Sequence, residues 1–438
     1  MILEFSVSNF RSIKGKQTFS LIASSARSKS ENTFNVTLTN GDKIKLLKTA
    51  AIYGANGSGK SNFIRFLFEI RKFIVKSNEL TVEKPIPAYD PFLFNTTSRN
   101  QVSEFELIFI SRDKNKYQYK ISFDKNEIVE ESLYHFPEKK LQNLFIRGKE
   151  KKELDSNIHI AKLGKNLGYK KYEVFKKIPF LSLFGKAENY NTSITPVYSY
   201  FNELEIWNAT STTWVNRLAS YIKEEMRLSD NVSELKQLEK LINTADSQIQ
   251  SLQIDYTNKI EEDEENITDE NSSINKKRQN EIIFGEHNVF KNHKVISKHN
   301  LPFYNESFGT NKLFALGGLI IKILNKGGVI FFDELDTSMH PMLSSLLIRL
   351  FQENHKSNSQ LVFTTHETYL LIKEFRTDQI WFTQKNIYGE TEIFSAQDFE
   401  GVREEIPFEK WYLAGKFGAI PRIELSNTLI RNGEKETI

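Results

Sequence analysis

The 438-residue chain contains no cysteine. Disulfides, thiolate nucleophiles and Cys-ligated zinc are therefore excluded, and a reducing compartment fits. Long apolar runs are missing too: none reaches the roughly 18 residues that a membrane helix requires. The opening Met1-Ile2-Leu3-Glu4-Phe5-Ser6-Val7-Ser8-Asn9-Phe10 carries an acid early and alternates like a strand, unlike the basic-then-apolar pattern of a signal peptide. A soluble cytoplasmic protein with no membrane partner is the expectation. An excess of one charge is also lacking, since 59 Lys and Arg face 56 Asp and Glu for a net charge of +3. That balance does not by itself announce a nucleic-acid partner. With 39% hydrophobic and 26% charged residues the composition is that of a globular protein, long enough for more than one domain.

Charge is nevertheless unevenly spread. Between Lys139 and Lys177 twelve Lys and Arg face four acids, a local net of +8, whereas Glu261 to Glu270 holds seven acids in ten positions. Like-charge blocks are solvated faces or mobile loops, or, for the basic one, a surface for DNA, RNA or an acidic protein.

What is present is more specific. Residues 54 to 61, Gly-Ala-Asn-Gly-Ser-Gly-Lys-Ser, match G-x-x-x-x-G-K-[ST] in full. An apolar, strand-like run from Leu46 to Tyr53 precedes it, and Ser61 to Ile70 repeats apolar residues at helical spacing. The context is strand, glycine loop, helix, which a chance glycine turn would lack. Gly54, Gly57 and Gly59 let successive N–H groups of Asn56, Ser58 and their neighbours face phosphates, Lys60 adds a positive charge, and Ser61 offers a hydroxyl to Mg²⁺. Asn62 follows in the same turn.

A second cluster lies far downstream. Gly328-Val329-Ile330-Phe331-Phe332-Asp333-Glu334 reads as a buried parallel strand delivering carboxylates at its C-terminal edge, with Asp333 for Mg²⁺ and Glu334 for the attacking water. Gln360 to His366 is another buried strand, and its terminal histidine can reach a γ-phosphate if the two strands are neighbours. Upstream, Ser307 and Gly309 open a helix at capping positions, where an anion can bind.

Between the clusters, short alternating strands to about Thr39 lead to the turn Asn40-Gly41-Asp42. An antiparallel meander continues to about Tyr134. Residues 150 to 250 read as mostly helical. Leu235, Leu238, Ile242, Ala245, Ile249 and Leu252 form a heptad-like stripe, and alternation from Leu252 predicts that a helix yields to a strand near Ser251. A returning strand is expected at Glu281 to Phe284, after the acidic run.

These elements, in this order, resemble the ATP-binding-cassette head of the SMC and RecF class. Gly54 to Ser61 resembles its Walker A, Ser307-Phe308-Gly309 its signature, Asp333-Glu334 its Walker B and catalytic glutamate, Leu335-Asp336 its D-loop and His366 its switch histidine. The opening Ser8-Asn9-Phe10-Arg11-Ser12-Ile13 resembles the SMC-type N-terminal strand, where Arg11 and Ser12 would lie against the nucleotide. A closer likeness runs through Glu306 to Leu316, Asp333 to Pro341, Phe363 to His366, Asp378 to Phe382 and Gly418 to Pro421. These stretches resemble the prokaryotic AAA-annotated ATP-binding proteins of abortive-infection and restriction-linked loci, such as RloA-like proteins. Phe308 stands where that group commonly has an acid, Glu306 replaces the leucine of transporters, and Gln101 is the candidate Q-loop glutamine.

The resemblance implies an α/β fold: an ABC-type (SMC/RecF-like) P-loop ATPase head split in sequence. It would comprise an N-terminal lobe at 1–135, a mainly helical insertion at 136–300 with a small strand pair and acidic loop, and a C-terminal lobe at 301–438. It implies ATP and Mg²⁺ as cofactors, with Lys60, Glu334 and His366 catalytic, and Ser307, Gly309 and Asp336 completing the site of a second subunit. A defence ATPase controlling a separate effector, such as a nuclease, is one expectation; a DNA-repair ATPase using the 139–177 block is another, and a transporter subunit a third. The acids after His366, including Glu400, Glu404 and Glu405, are scattered, so no intrinsic nuclease is predicted.

Overall fold

The computed structural model describes residues 1–77, 84–138, 140–148, 158–186, 191, 193–208, 212–229, 232–257, 280–371, 375–402 and 406–421. The acidic run at 261–270, Glu404, Glu405 and residues 139 and 149–157 of the basic block lie outside them. The N-terminal half contains β1 (Ile2–Ser8), β2 (Gln17–Ser20), β3 (Thr33–Thr37), β4 (Lys43–Leu47), β5 (Thr49–Gly54) and α1 (Lys60–Lys76). Then come β6 (Ser103–Ile110), β7 (Lys116–Phe123), β8 (Ile128–Glu138), β9 (Lys140–Gly148), β10 (Ile158–Leu163) and β11 (Lys171–Phe175). The middle holds α2 (Phe180–Phe184), α3 (Thr195–Glu203), β12 (Glu205–Asn208), α4 (Thr212–Ser229), α5 (Val232–Ala245), β13 (Ile249–Thr257), β14 (Asn280–Lys291) and β15 (Lys294–Pro302). The last third adds α6 (Phe308–Lys326), β16 (Gly328–Asp333), α7 (Pro341–Gln352), β17 (Ser359–Thr364), β18 (Ile380–Lys385), β19 (Thr391–Ser395) and α8 (Phe408–Leu413).

One sheet, in the order β12-β16-β17-β5-β18-β19, carries the chemistry. All its pairings are parallel except β18 with β19. The middles of its inner strands, Ala50–Tyr53, Val329–Phe332 and Leu361–Phe363, are continuously apolar because both faces are covered there, the reason parallel strands read as hydrophobic runs. Alternate residues enter different cores. Ile52, Phe331 and Val362 pack with Phe5, Phe63 and Phe66 of the N-terminal lobe. Ala51, Phe332 and Phe363 pack instead with Leu313, Leu316 and Leu347 of the C-terminal helices. Burial on both sides makes this sheet the rigid floor of the molecule.

The meander runs further than Tyr134. Among the described residues it forms an eight-stranded antiparallel sheet, β11-β10-β9-β8-β7-β6-β1-β2, that ends at Phe175. The 136–300 stretch is thus mixed, not mostly helical. Its edge strand β11 hides from pattern reading because Lys171 and Glu173 lie outward and only Val174 is buried. The basic block is partly structural for the same reason. Arg147 is fully buried, 3.5 Å from Glu131, whose carboxylate also accepts from the N–H groups of Phe180 and Leu181. Lys177 donates to the carbonyl of Lys84. Among the described residues of the block, Lys140, Lys165, Lys170 and Lys171 are exposed.

The helix of the heptad-like stripe ends at Ala245, and its strand begins at Ile249, two residues before the expected change. Here α5 lies on α6 as well as on β13, with Leu238 and Leu241 meeting the helix at Gly317. The returning strand, β14, is much longer than the four residues expected.

Candidate functional site

Strand order decides the geometry of the site. The C-terminal ends of β5, β17 and β16 lie side by side, with Thr364 level with Ile52 and Phe332 level with Phe363. Gly54, Thr364 and Asp333, far apart in sequence, therefore meet at one sheet edge, where open α/β sheets bind ligands.

The glycine loop between β5 and α1 is built for close approach. A Cβ at Gly54 would lie 2.5 Å from the Thr383 carbonyl oxygen, and Gly59 holds φ 109°, where a Cβ would collide with Thr391. Both positions require glycine. Asn56 and Gly57 are exposed at the loop tip, and Lys60 Nζ donates to the carbonyls of Gly54 at 2.7 Å and Ala55 at 3.2 Å. Burial lowers the Lys60 pKa to about 8, against the opposing pull of Glu334, Asp333 and Asp336.

Ser12, Ser58 and Asn62, expected to touch nucleotide, brace the loop. Asn62 Nδ2 donates to Ser12 Oγ at 2.8 Å, and the Thr391 hydroxyl lies 2.8 Å from Ser12 Oγ and 2.7 Å from the Ser58 carbonyl. Ser58 Oγ is 2.7 Å from Thr383 Oγ1. These bonds tie the loop to β18 and β19, and Asn62 also lines the cleft beside Ser61. Arg11 lies at the cleft but is paired with Asp90 at 2.7 Å. Gln101, the Q-loop candidate, uses its main-chain carbonyl to accept from Asn9 and Tyr89.

A cleft of about 390 Å³ runs from Ser61, Asp333 and Glu334 past Arg11 and Arg65 to Phe68 and Trp207. Asp333 accepts hydrogen bonds from Thr364 Oγ1 at 2.7 Å and from Ser61, and burial still raises its pKa. Glu334 turns into the left-handed region at φ 55°, its N–H donates to Thr364 Oγ1 at 2.7 Å, and its carboxylate accepts from Thr337 at 3.0 Å. The strain lies where the chain leaves β16, a position that strained residues favour at functional sites. One threonine hydroxyl thus positions both acids. Thr364 was missed from sequence; its only signal was a hydroxyl at a buried strand end beside the histidine.

His366 lies just beyond. Its N–H donates to Asp336 Oδ2 at 3.2 Å, and burial together with Lys60 pushes its pKa below the usual histidine value. Among the described residues the buried Asp336 Oδ1 has no hydrogen-bond partner. Lys312, also missed, is fully buried and donates to the Thr337 carbonyl; burial lowers its pKa to about 8, with Asp336 and Glu334 opposing. A buried lysine inside an apolar helix carries no period-based signal.

Ser307 caps α6 as expected, its Oγ accepting from the Thr310 N–H at 3.1 Å. It is exposed, as is Phe308, and Gly309 faces the carbonyl of Ser338. Glu306 binds His287 at 2.7 Å, which gives this acid a place where transporters have leucine. Neither Ser307 nor Gly309 lines the cleft that holds Ser61 and Asp333.

The donor set fits Mg²⁺ with a nucleoside triphosphate. Ser61 and Asp333 supply one hydroxyl and one carboxylate, the sparse protein share typical of Mg²⁺ when phosphates complete the octahedron. Among the described residues no group of three or more His, Asp and Glu could hold a metal by itself.

Residues 50–372 match the family described as "AAA domain, putative AbiEii toxin, Type IV TA system". The chain belongs to this family. As a member of the AAA family it carries the phosphate loop in the first third of the matched region and the paired acids in the last. None of the curated protein sequences matches it. Among solved structures it is similar to an SmcHead bound to the C-winged helix domain of ScpA, at 12% identity and TM-score 0.44, over 90% of this chain and 97% of that one. It is also similar to the SMC head domain from Thermotoga maritima, at 12% identity and TM-score 0.40, over 90% and 98%. Among the described residues no helix is long and apolar enough to cross a membrane.

Proposed function

We propose that this AAA-family protein binds and hydrolyses ATP with Mg²⁺, and that two copies close on the nucleotide to gate a separate effector in defence against phage. The observation that carries this reading is the meeting of Lys60, Ser61, Asp333, Glu334 and His366 at one edge, while Ser307 caps α6 at an exposed N-terminal end outside that cleft. Lys60 and the loop N–H groups bind the phosphates, Ser61 and Asp333 hold Mg²⁺, and Glu334 orients the attacking water. His366, whose pKa is held below the usual histidine value by burial and by Lys60, hydrogen-bonds the γ-phosphate. Ser307 and Gly309 of a second copy supply anion-binding N–H groups from the other side. ATP is then shared between two surfaces, and its hydrolysis separates them.

The family description, which names an abortive-infection toxin, supports the defence setting, as does the likeness to proteins of RloA type. The effector, such as a nuclease, would come from another chain. To test the reading, Glu334→Gln should bind ATP without hydrolysing it and accumulate a larger species by light scattering. A variant that stays at the wild-type mass with ATP would contradict the shared site, and one that hydrolyses at the wild-type rate would remove Glu334 from the chemistry.

A further inference from the structure

The strands β14 and β15 extend well past their supporting neighbour. Pairing of β13 with β14 stops at His287, yet β14 and β15 continue as a two-stranded ribbon from Asn288 paired with Lys298 to Lys291 paired with Lys294. Asn292 and His293 close it with φ 48° and 61°, the two positive values of a tight type I′ turn. At about 3.3 Å per residue the ribbon reaches about 15 Å beyond the third strand. Every residue from Phe290 to Asn300 is exposed.

Its chemistry is one-sided. No acid occurs from His287 to Asn305, while Lys291, Lys294 and Lys298 lie on the ribbon among Phe290, Val295 and Ile296, which are 59%, 53% and 59% exposed. Lys298 is held by Glu286 at 2.7 Å, but among the described residues Lys291 and Lys294 form no ion pair. Lone exposed apolar residues need no explanation; three at the end of one slender ribbon do.

We propose that the ribbon of residues 288–300 is an arm that enters the major groove of duplex DNA. The groove, about 12 Å wide and 8.5 Å deep, admits a two-stranded β-ribbon. Lys291 and Lys294 contact phosphates on its walls, and Phe290, Val295 and Ile296 lie against base edges and methyl groups. A second copy is the poorer occupant, because β15 is an edge strand and its lysines would face one another in a paired edge. The arm's root is fixed: His287 is bound to Glu306, the residue before Ser307. A duplex held on the arm therefore bears on the helix that Ser307 caps.

The test is fluorescence anisotropy of the full chain with a labelled duplex of about 30 base pairs, at salt from about 50 to about 200 mM. Wild type is expected to bind with affinity that falls steeply with salt. The double change Lys291→Glu and Lys294→Glu should weaken binding about tenfold or more and reduce the log–log salt slope by about two, since each phosphate contact contributes about 0.9. Phe290→Ser should weaken binding with the slope unchanged. These surface changes leave ATP turnover as the folding control. Absence of duplex binding at low salt, or equal affinity in the double variant, overturns the proposal. Competition by polyglutamate as effective as by unlabelled duplex would make the arm a site for acidic protein and also overturn it, as would a loss of self-association in the double variant without loss of duplex binding.

Discussion

Replacing Thr364 by valine removes a single hydroxyl that serves two acids. That hydroxyl donates to Asp333 Oδ1 at 2.7 Å and accepts from the Glu334 N–H at 2.7 Å. The hydrogen bond to a buried carboxylate contributes about 1.5–3 kcal/mol, and the stranded N–H adds about 1 kcal/mol, softened because it is only partly buried. Most of the loss should fall on metal affinity, since outer partners of metal ligands are worth about 10–100-fold, or about 1.4–2.7 kcal/mol. The Mg²⁺ concentration that half-saturates ATP binding and turnover should therefore rise about 10–100-fold. Asp333 is already pushed above the ordinary carboxylate value by burial, and loss of Thr364 takes away a group that holds it down. The acid limb of Mg²⁺ binding should move to higher pH, because only the ionised carboxylate binds. Thr364→Ser keeps the hydroxyl and should behave nearly as wild type. Wild-type Mg²⁺ dependence in Thr364→Val, with only a lower denaturant midpoint, would refute the reasoning and reduce Thr364 to a structural residue.

Two further outcomes follow from buried charges. The Lys60 pKa is lowered to about 8 from 10.5, so between those values the unfolded chain keeps a proton that the native loop has released, and stability rises with pH across that window. Phosphates reverse the shift, so nucleotide binding near pH 8 should take up protons and weaken as pH rises; calorimetry in two buffers of different ionisation enthalpy measures this, and uptake that persists in Lys60→Met would contradict it. Arg376 is fully buried, paired with Asp378 at 2.8 Å and donating to the carbonyls of Ala26 and Ser28. Arg376→Ala leaves an unpaired buried carboxylate and should cost about 3–5 kcal/mol in denaturant unfolding; a change below about 1 kcal/mol would show that water relieves the site.

The glycine loop, the acid pair after β16 and the cap at Ser307 are all contiguous in the chain, and each was legible without coordinates. Local hydrogen bonding and periodicity write such features into neighbouring residues: glycine where φ is positive, serine where an N–H needs an acceptor, four apolar residues where both faces are covered. The far end of the antiparallel sheet was less legible, because β11 carries Lys171 and Glu173 outward with only Val174 buried, and β9 buries Arg147 while exposing Leu141 and Ile146.

Contacts across hundreds of residues belong to the tertiary structure. No local pattern places β17 between β5 and β16, yet that order brings Thr364 and His366 to Asp333 and Lys60. Nor does any pattern link Asn62, through Ser12, to Thr391 of β19. Burial of Lys312, and the settling of Arg147 inside what reads as a basic surface, are likewise decided by packing. The residue types that suit phosphate and Mg²⁺ are legible in the sequence because the glycine loop and the acid pair are each local. Which of these side chains are buried, which are hydrogen-bonded to one another and which line the cleft was decided only by the fold, since desolvation and strand order depend on partners that the chain does not place nearby.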